Sequence, residues 1–487
     1  MSLWRIAWRS IQQRALASSL TAFSMALGVM LLVSVLSIHG VIERSFQTNA
    51  SLGYNMILGA KGGKLQLTLN TVYYLSQPIE NLPYDFYMEF LPRERRDQEL
   101  ENALFPTESS RDGKYAAFVD LAIPVCLGDY FGHFRVVGTT PEMFEHLRFG
   151  PAGDRRYEFS KGRNFRVHTP ENGFFEAVVG ATVAREMNVK LEDRIATTHG
   201  DPEGFGHGEH FTVVGILAPS GTPQDRAVFV NMEGFFLMEG HAKPLDQVPL
   251  SETLDLELEL PPSSQLGWSG DELTREEQLA LDPLPLEQRE VTAILIRTIS
   301  PIVGPGLYNE INEGPVAQAV MPVREIYQLF QLFVRPAQMV LLLMSALICI
   351  VSGVSILVSI YNSMSERRHE IAVMRALGAE RQTVMTVILC ESMILSVGGG
   401  MIGWVLGHAL NASISPLVEA RTGVSIGFFD FAPGVDISWI WGATGGNGLE
   451  VSTELLLIPG LLLLAVLVGF FPALTAYRAD VAASLGQ

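Results

Sequence analysis

Four long stretches free or nearly free of formal charge constrain this chain more than anything else in it. Ala15–Ile38 and Ala337–Tyr361 hold 24 and 25 residues without an Asp, Glu, Lys or Arg, Leu455–Tyr477 has none, and Thr383–Leu410 has only Glu391. A 24-residue helix rises about 36 Å, enough to cross a hydrocarbon layer of about 30 Å. Each run therefore reads as a transmembrane helix. For the first run the competing reading is a cleaved signal peptide, whose apolar part is about 7–15 residues, and only Thr48-x-Ala50 resembles a cleavage site. An uncleaved anchor is expected.

Orientation follows from the basic residues. Arg5, Arg9 and Arg14 precede the first run with no acid among them, which puts the N-terminus in the cytoplasm. The inner segments are then the N-terminus, the 362–382 loop and the tail from Arg478, with eight arginines and four acids. Apart from Glu391, the remainder holds 26 basic and 47 acidic residues. Both termini are expected in the cytoplasm. The outer 411–454 loop carries Arg421 as its one basic residue, and Trp439 and Trp441 suit a membrane interface. Within Thr383–Leu410, Gly399, Gly403 and Gly407 recur every four residues, which puts bare backbone on one helix face for close packing. Glu391 is the membrane polar residue, placed about two turns from the inner loop and read as bonding a neighbouring helix or reaching the interface.

From 42 to 336 the pattern changes to short β-rich segments broken by Gly, Pro and Asp. Expected strands are Tyr115–Leu121, Phe134–Gly138, Ala177–Gly180, Phe211–Leu217, Ala227–Val230 and Val291–Thr298, and expected helices Thr182–Asn188 and Met232–Met238. The fold class is thus a polytopic α-helical membrane protein with four transmembrane helices and a large α+β extracytoplasmic domain. Its segments are 1–41 (N-terminus and first span), 42–336 (outer domain), 337–361 (second span), 362–382 (inner helix), 383–410 (third span), 411–454 (outer loop), 455–477 (fourth span) and 478–487 (tail). Within the outer domain, about 249–289 is rich in Leu, Glu, Asp and Pro without steady periodicity and reads as an inserted, partly mobile excursion. A net charge of −18 argues against nucleic acid as a partner.

Between the second and third spans, Ser363–Ala379 opens with the capping-box pattern Ser363-x-x-Glu366 and reaches Gly378, where a left-handed C-cap ends a helix. Ile371, Met374 and Leu377 fall on one side, while Glu366, Arg367, Arg368, Glu370 and Arg375 carry the charge. This is a short amphipathic helix at the inner surface.

No G-x-x-x-x-G-K-[ST] string occurs, so nothing here cradles a nucleotide phosphate, and Gly59-Ala-Lys-Gly-Gly-Lys64 has the wrong spacing. That stretch reads as a turn or as a contact for lipid headgroups. No H-E-x-x-H or G-x-S-x-G string points to a hydrolase. One outer segment remains chemically pointed, with three histidines and three carboxylates in the twelve residues 199–210. His199, Asp201, His207 and His210 are the candidate metal ligands there, zinc the candidate ion, and a solvated hairpin tip the alternative.

Three strings carry a resemblance: E-R-R-H-E-I-A-V-M-R-A-L-G-A at 366–379, E-S-M-I-L-S-V-G-G-G-M-I-G at 391–403 and F-P-A-L-T-A-Y-R-A-D-V-A-A-S-L at 471–485. They resemble the C-terminal region of MacB/FtsX-like ABC transporter permeases. A-V-V-G-A-T-V-A-R-E-M-N-V at 177–189, F-T-V-V-G-I-L at 211–217 and G-T-P-Q-D-R-A-V-F-V at 221–230 resemble the extracytoplasmic core of the same family. The likeness implies a permease without ATPase activity of its own, multi-pass in the bacterial plasma (inner) membrane, a homodimer or pseudo-symmetric heterodimer. Its inner helix would dock into a separate ABC ATPase subunit that carries the ATP and Mg²⁺. Implied outer partners are a periplasmic adaptor or lipoprotein, and membrane lipid. The implied work is export or extraction of lipid, lipoprotein, peptide or amphiphile, or activation of an outer partner without transport. A metal-handling membrane protein centred on 199–210 stands as the third reading.

Overall fold

The computed structural model describes residues 3–49, 53–104, 110–150, 153–204, 206–243, 274–366, 375, 378–422, 426–436 and 450–478. Two compact units result, one from Met1–Ser45 with Phe330–Gln487 and the other from Phe46–Leu329.

Among the described residues, the helical unit contains four helices long and apolar enough to cross a membrane. They are α1 (Ala15–Asn49), α2 (Arg335–Glu366), α3 (Arg381–Thr422) and α4 (Leu457–Arg478). The first three overrun their runs and α4 begins two residues inside its own; α3 goes furthest, continuing three turns into what reads from sequence as an outer loop. A separate helix, Leu3–Gln13, precedes α1 and exposes Trp4 and Trp8. The glycine row of α3 lies directly on α1. A Cβ at Gly399 would sit 2.7 Å from the carbonyl oxygen of Ala22, one at Gly403 would collide with that of Ala26, and one at Gly407 would come within 3.1 Å of that of Met30. Polar side chains lace the same bundle: Ser24 and Ser352 meet at 2.9 Å, and the Ser392 hydroxyl donates to Ala465 O at 2.9 Å.

The second unit is built on a ten-stranded mixed sheet. Its strands in chain order are β1 (Met56–Gly59), β2 (Val119–Phe131), β3 (Phe134–Thr139), β4 (Phe159–Gly162), β5 (Glu176–Val179), β6 (Arg194–Thr198), β7 (Gly206–Leu217), β8 (Ala227–Asn231), β9 (Ala293–Thr298) and β10 (Gln318–Val320). Along the sheet they run β10-β1-β9-β2-β3-β8-β5-β7-β4, while β6 pairs with β7 and touches β2. Six strands, β2-β3-β8-β5-β7-β6, therefore make a closed circuit. Its last link is a single residue pair, Tyr130 with Thr198, where the Thr198 hydroxyl donates to Tyr130 O at 3.3 Å. Side chains on both faces are buried. Val228 and Val230 join one core cluster and Phe229 the other, which is why A-V-F-V reads as an unbroken apolar run.

Two sequence expectations change, and the turn expected at 59–64 is met. The strand expected at Tyr115–Leu121 begins only at Val119, after a 3₁₀ turn at Ala116–Phe118, and runs on to Phe131. Gly59–Lys64 is the turn between β1 and the helix Lys64–Tyr73, and the Lys64 ammonium donates to the Tyr308 hydroxyl at 2.7 Å. The end of the 249–289 excursion is core, not excursion. Leu284 is fully buried, and Arg289 lies buried with Nη1 2.8 Å from Glu233 and 3.5 Å from Glu99, its guanidinium 5.6 Å from the Tyr84 and Phe236 ring centres. Residues 249–273 of that stretch, and Trp439 and Trp441, lie outside the described residues.

Because backbone oxygens do not retreat as side-chain tips do, Gly403→Ala is expected to destabilise the α1–α3 contact by about 1–3 kcal/mol or more. Gly398→Ala, whose Cβ would meet nothing within 4 Å, is expected to be neutral. Thermal unfolding of the detergent-solubilised protein checks the pair.

Candidate functional site

A strand ladder dictates most side-chain directions, so a side chain that departs from it stands out. Between Leu127 and Tyr130 the pairing of β2 with β3 slips, Leu127 facing Val137 and Tyr130 facing Arg135, which leaves one extra residue in β2. Such a bulge re-aims the side chains beside it. Asp129 sits in this bulge and its carboxylate is wholly buried. Across the closing link, His199 follows β6 at the hairpin tip and His207 lies near the start of β7. Gln77 steadies the tip by donating to Gly200 O at 2.8 Å. A third imidazole comes from the turn after the helix Met232–Phe236, where Gly240 at φ +84° takes the left-handed conformation that glycine tolerates best. His241 follows it, its ring 4.4 Å from Phe235.

These residues converge. His207 Nε2 and His241 Nε2 lie 3.0 and 3.1 Å from Asp129 Oδ2, and His199 Nδ1 lies 3.5 Å from Oδ1. The three ring centres form a near-equilateral triangle with sides of 5.5, 5.1 and 5.1 Å. Burial pushes the Asp129 carboxyl up, but His241 and then His207 outweigh it and hold it below the usual carboxylate range. Burial pulls His207 down, yet Asp129 raises it above an ordinary imidazole, while His199 is lowered by burial and then by His241.

The cluster overlaps only partly with the four residues expected from sequence. His199 and His207 belong to it; Asp201 and His210 do not. Asp201 is occupied within the tip, accepting from the Glu203 N–H at 3.0 Å. His210 is three residues from His207 on an alternating strand and so faces the other way, with Nδ1 3.1 Å from Gly208 O. Asp129 and His241 stand 70 or more positions from part of the set, where spacing carries no signal.

The helical unit holds a second concentration of polar groups. Glu454, just before α4, has its side chain 2% exposed. It accepts from Ser37 Oγ (3.0 Å), Trp404 Nε1 (3.0 Å) and the Ala432 N–H (2.7 Å), and lies 2.8 Å from His408 Nε2. One carboxylate thus ties α1, α3 and the segment between α3 and α4. Glu391 is also buried. Of the 363–379 segment, Arg367, Arg368, Glu370, Ile371, Met374 and Leu377 lie outside the described residues, as does the Glu366 side chain. Gly378 has φ +102° and its N–H meets Arg375 O at 3.1 Å, the left-handed geometry of a glycine C-cap.

Comparison with known proteins supplies what geometry alone does not. The MacB-like periplasmic core domain family matches residues 18–248, and the FtsX-like permease C-terminal family matches residues 342–481. The chain belongs to the MacB/FtsX-like ABC transporter permeases. Among curated relatives, a macrolide export ATP-binding/permease protein MacB of Bdellovibrio bacteriovorus is 32% identical over 126 residues, 25% of this chain and 19% of that protein. An uncharacterized ABC transporter permease of Methanocaldococcus jannaschii is 35% identical over 75 residues, 15% of this chain and 19% of the relative. Another, YknZ of Bacillus subtilis, is 33% identical over 68 residues, 14% and 17% of the two chains. The matched stretches span about a fifth of the length of these relatives.

In this permease Glu454, His408, Trp404 and Ala432 lie within the FtsX-like match, and Ser37 and the histidine–aspartate cluster within the MacB-like match. Glu454→Ala would leave the buried donors of Ser37, Trp404 and Ala432 without their acceptor. A loss of about 3–5 kcal/mol is expected, and a smaller one for Glu454→Gln, which keeps one carbonyl oxygen. Unfolding midpoints in detergent, with exposed Ser413→Ala as control, measure it.

Proposed function

We propose that the chain is the membrane subunit of an ATP-driven machine, coupling hydrolysis by a separate ABC ATPase subunit to movement of its large sheet domain outside the membrane. The observation that carries this reading is the order of the two family matches on one chain, a MacB-like periplasmic core followed by an FtsX-like permease region. The cargo class that fits is lipid, lipoprotein, peptide or other amphiphile, expelled or extracted by motion. Within the four apolar runs the acidic and basic side chains are Glu391 and His408, and His408 is engaged by Glu454, so little in the described bundle suits an ionic path. The same feature favours a second reading, in which the motion activates an outer partner and nothing is transported. Stimulation of the partner ATPase by cargo separates the two.

The orientation proposed is N- and C-termini in the cytoplasm of a bacterial inner membrane, supported by Arg5, Arg9, Arg14, Arg367, Arg368, Arg375 and Arg381 on the segments assigned inside. In a variant without native Cys, single cysteines at Ser263 and Asn447 are expected to react with an impermeant maleimide in intact cells or spheroplasts. One at Ser365 is expected to stay unlabelled, and labelling at Ser365 alone would invert the topology.

Force would enter through the 363–379 helix. Ile371, Met374 and Leu377 are proposed to fill a groove on the ATPase, with Arg367, Arg368 and Arg375 pairing at its rim. Truncating buried anchors costs about 2 kcal/mol or more each, whereas rim ion pairs contribute under about 1 kcal/mol. Met374→Ala with Leu377→Ala is therefore expected to release or uncouple the ATPase, and Arg367→Ala to do little. Co-purification of the ATPase and its rate in lipid are the readouts. Wild-type values in the double variant would make the helix a simple turn-around.

A further inference from the structure

The histidine–aspartate cluster has no task in the permease reading, and its geometry calls for one. We propose that Asp129, His199, His207 and His241 form a closed four-ligand site for a divalent transition-metal ion, zinc by donor chemistry, which clips the seam where the sheet circuit closes.

Spacing is the first argument. In a tetrahedral zinc site, nitrogen and oxygen donors about 2.0–2.1 Å from the ion lie about 3.3 Å from each other. The three shortest donor separations to Asp129 are 3.0, 3.1 and 3.5 Å, and one donor atom from each of the four residues lies within 4.8 Å of the others. The second argument is direction. Both Asp129 oxygens, His207 Nε2 and His241 Nε2 are buried, and none makes an aligned hydrogen bond within the described structure despite these short approaches. Donors crowded together without pointing at one another are arranged around a shared point, not bonded in pairs. Charge is the third. Asp129 is a fully buried anion, and Arg135, close enough to feel it, donates instead to Gly128 O at 3.3 Å and Ser76 O at 2.7 Å. A dication at the cluster would neutralise the carboxylate and satisfy the imidazoles together.

Imidazole and carboxylate donors suit zinc, and four protein ligands leave no position for a substrate, as in structural sites. His199, 44% exposed, leaves an entry path for the ion, while His207 and His241 close the inner side. The ion would join the β2 bulge, the β6–β7 hairpin tip and the turn after Met232–Phe236. Only the pairing of Tyr130 with Thr198 otherwise links β2 to β6 in the ladder.

The test uses the full chain in detergent, purified without a polyhistidine tag and dialysed against metal-free buffer. Elemental analysis is expected to find about one zinc per chain. Replacement by Co²⁺ should give the intense visible absorption of a tetrahedral site, a readout on the wild-type protein that does not depend on any variant folding. Chelation should lower the unfolding midpoint, and zinc should restore it. His241→Ala and Asp129→Asn should lose the metal, whereas His210→Ala and Asp201→Asn should keep it. Absence of zinc and cobalt binding in the wild type would overturn the proposal, as would retention by His241→Ala or equal loss in His210→Ala. None of these outcomes bears on ATPase coupling.

Discussion

A carboxylate moved out of water costs several kcal/mol unless donors replace its hydration, and this chain takes several inside. In the helical unit, Glu454 gathers donors from α1, α3 and the segment before α4. In the sheet unit, Glu176 on β5 receives both guanidinium nitrogens of Arg163 at 2.8 and 2.6 Å, the Arg166 N–H, Thr169 and Asn172. Arg289 joins Glu233 to Glu99 where the chain returns from residues outside the description. Each of these charges acts as a fastener, because the segments supplying donors cannot separate without leaving the anion bare. Asp129 departs from this pattern, approached by three imidazoles at 3.0–3.5 Å with no ring N–H aligned on its oxygens.

That departure falls where the strand circuit is joined by a single residue pair. Most neighbouring strands of the closed circuit share several backbone pairs, whereas β2 and β6 share one. Side chains from three separate segments, the β2 bulge, the β6–β7 hairpin tip and the turn after Met232–Phe236, converge beside that link.

The helical unit solves a different problem. Between apolar helices in lipid there is little hydrophobic drive, so association rests on close packing and hydrogen bonds. The glycine row of α3 brings its backbone against Ala22, Ala26 and Met30 of α1, and serines on α1, α2 and α3 add polar contacts at the helix faces. Both devices hold the bundle without placing a charge toward lipid, in keeping with the permease family to which the chain belongs.

The sequence by itself determined the features that depend on local composition. Uncharged length marked the four long helices, a four-residue glycine period marked the α1-facing side of α3, and short apolar runs marked β3, β5 and β8. The E-R-R-H-E and A-V-V-G strings carried the family. Tertiary structure alone decided what depends on distant residues meeting. The β2 bulge aimed Asp129 inward, the alternation of β7 separated His207 from His210, and a left-handed Gly240 delivered His241 to the cluster. Likewise Glu454, read from sequence as part of an outer loop, became the meeting point of α1, α3 and the segment between α3 and α4 only in the folded unit. Local patterns record which face of an element is apolar; they do not record which two faces come together, and a cluster of side chains drawn from three segments is a property of that meeting.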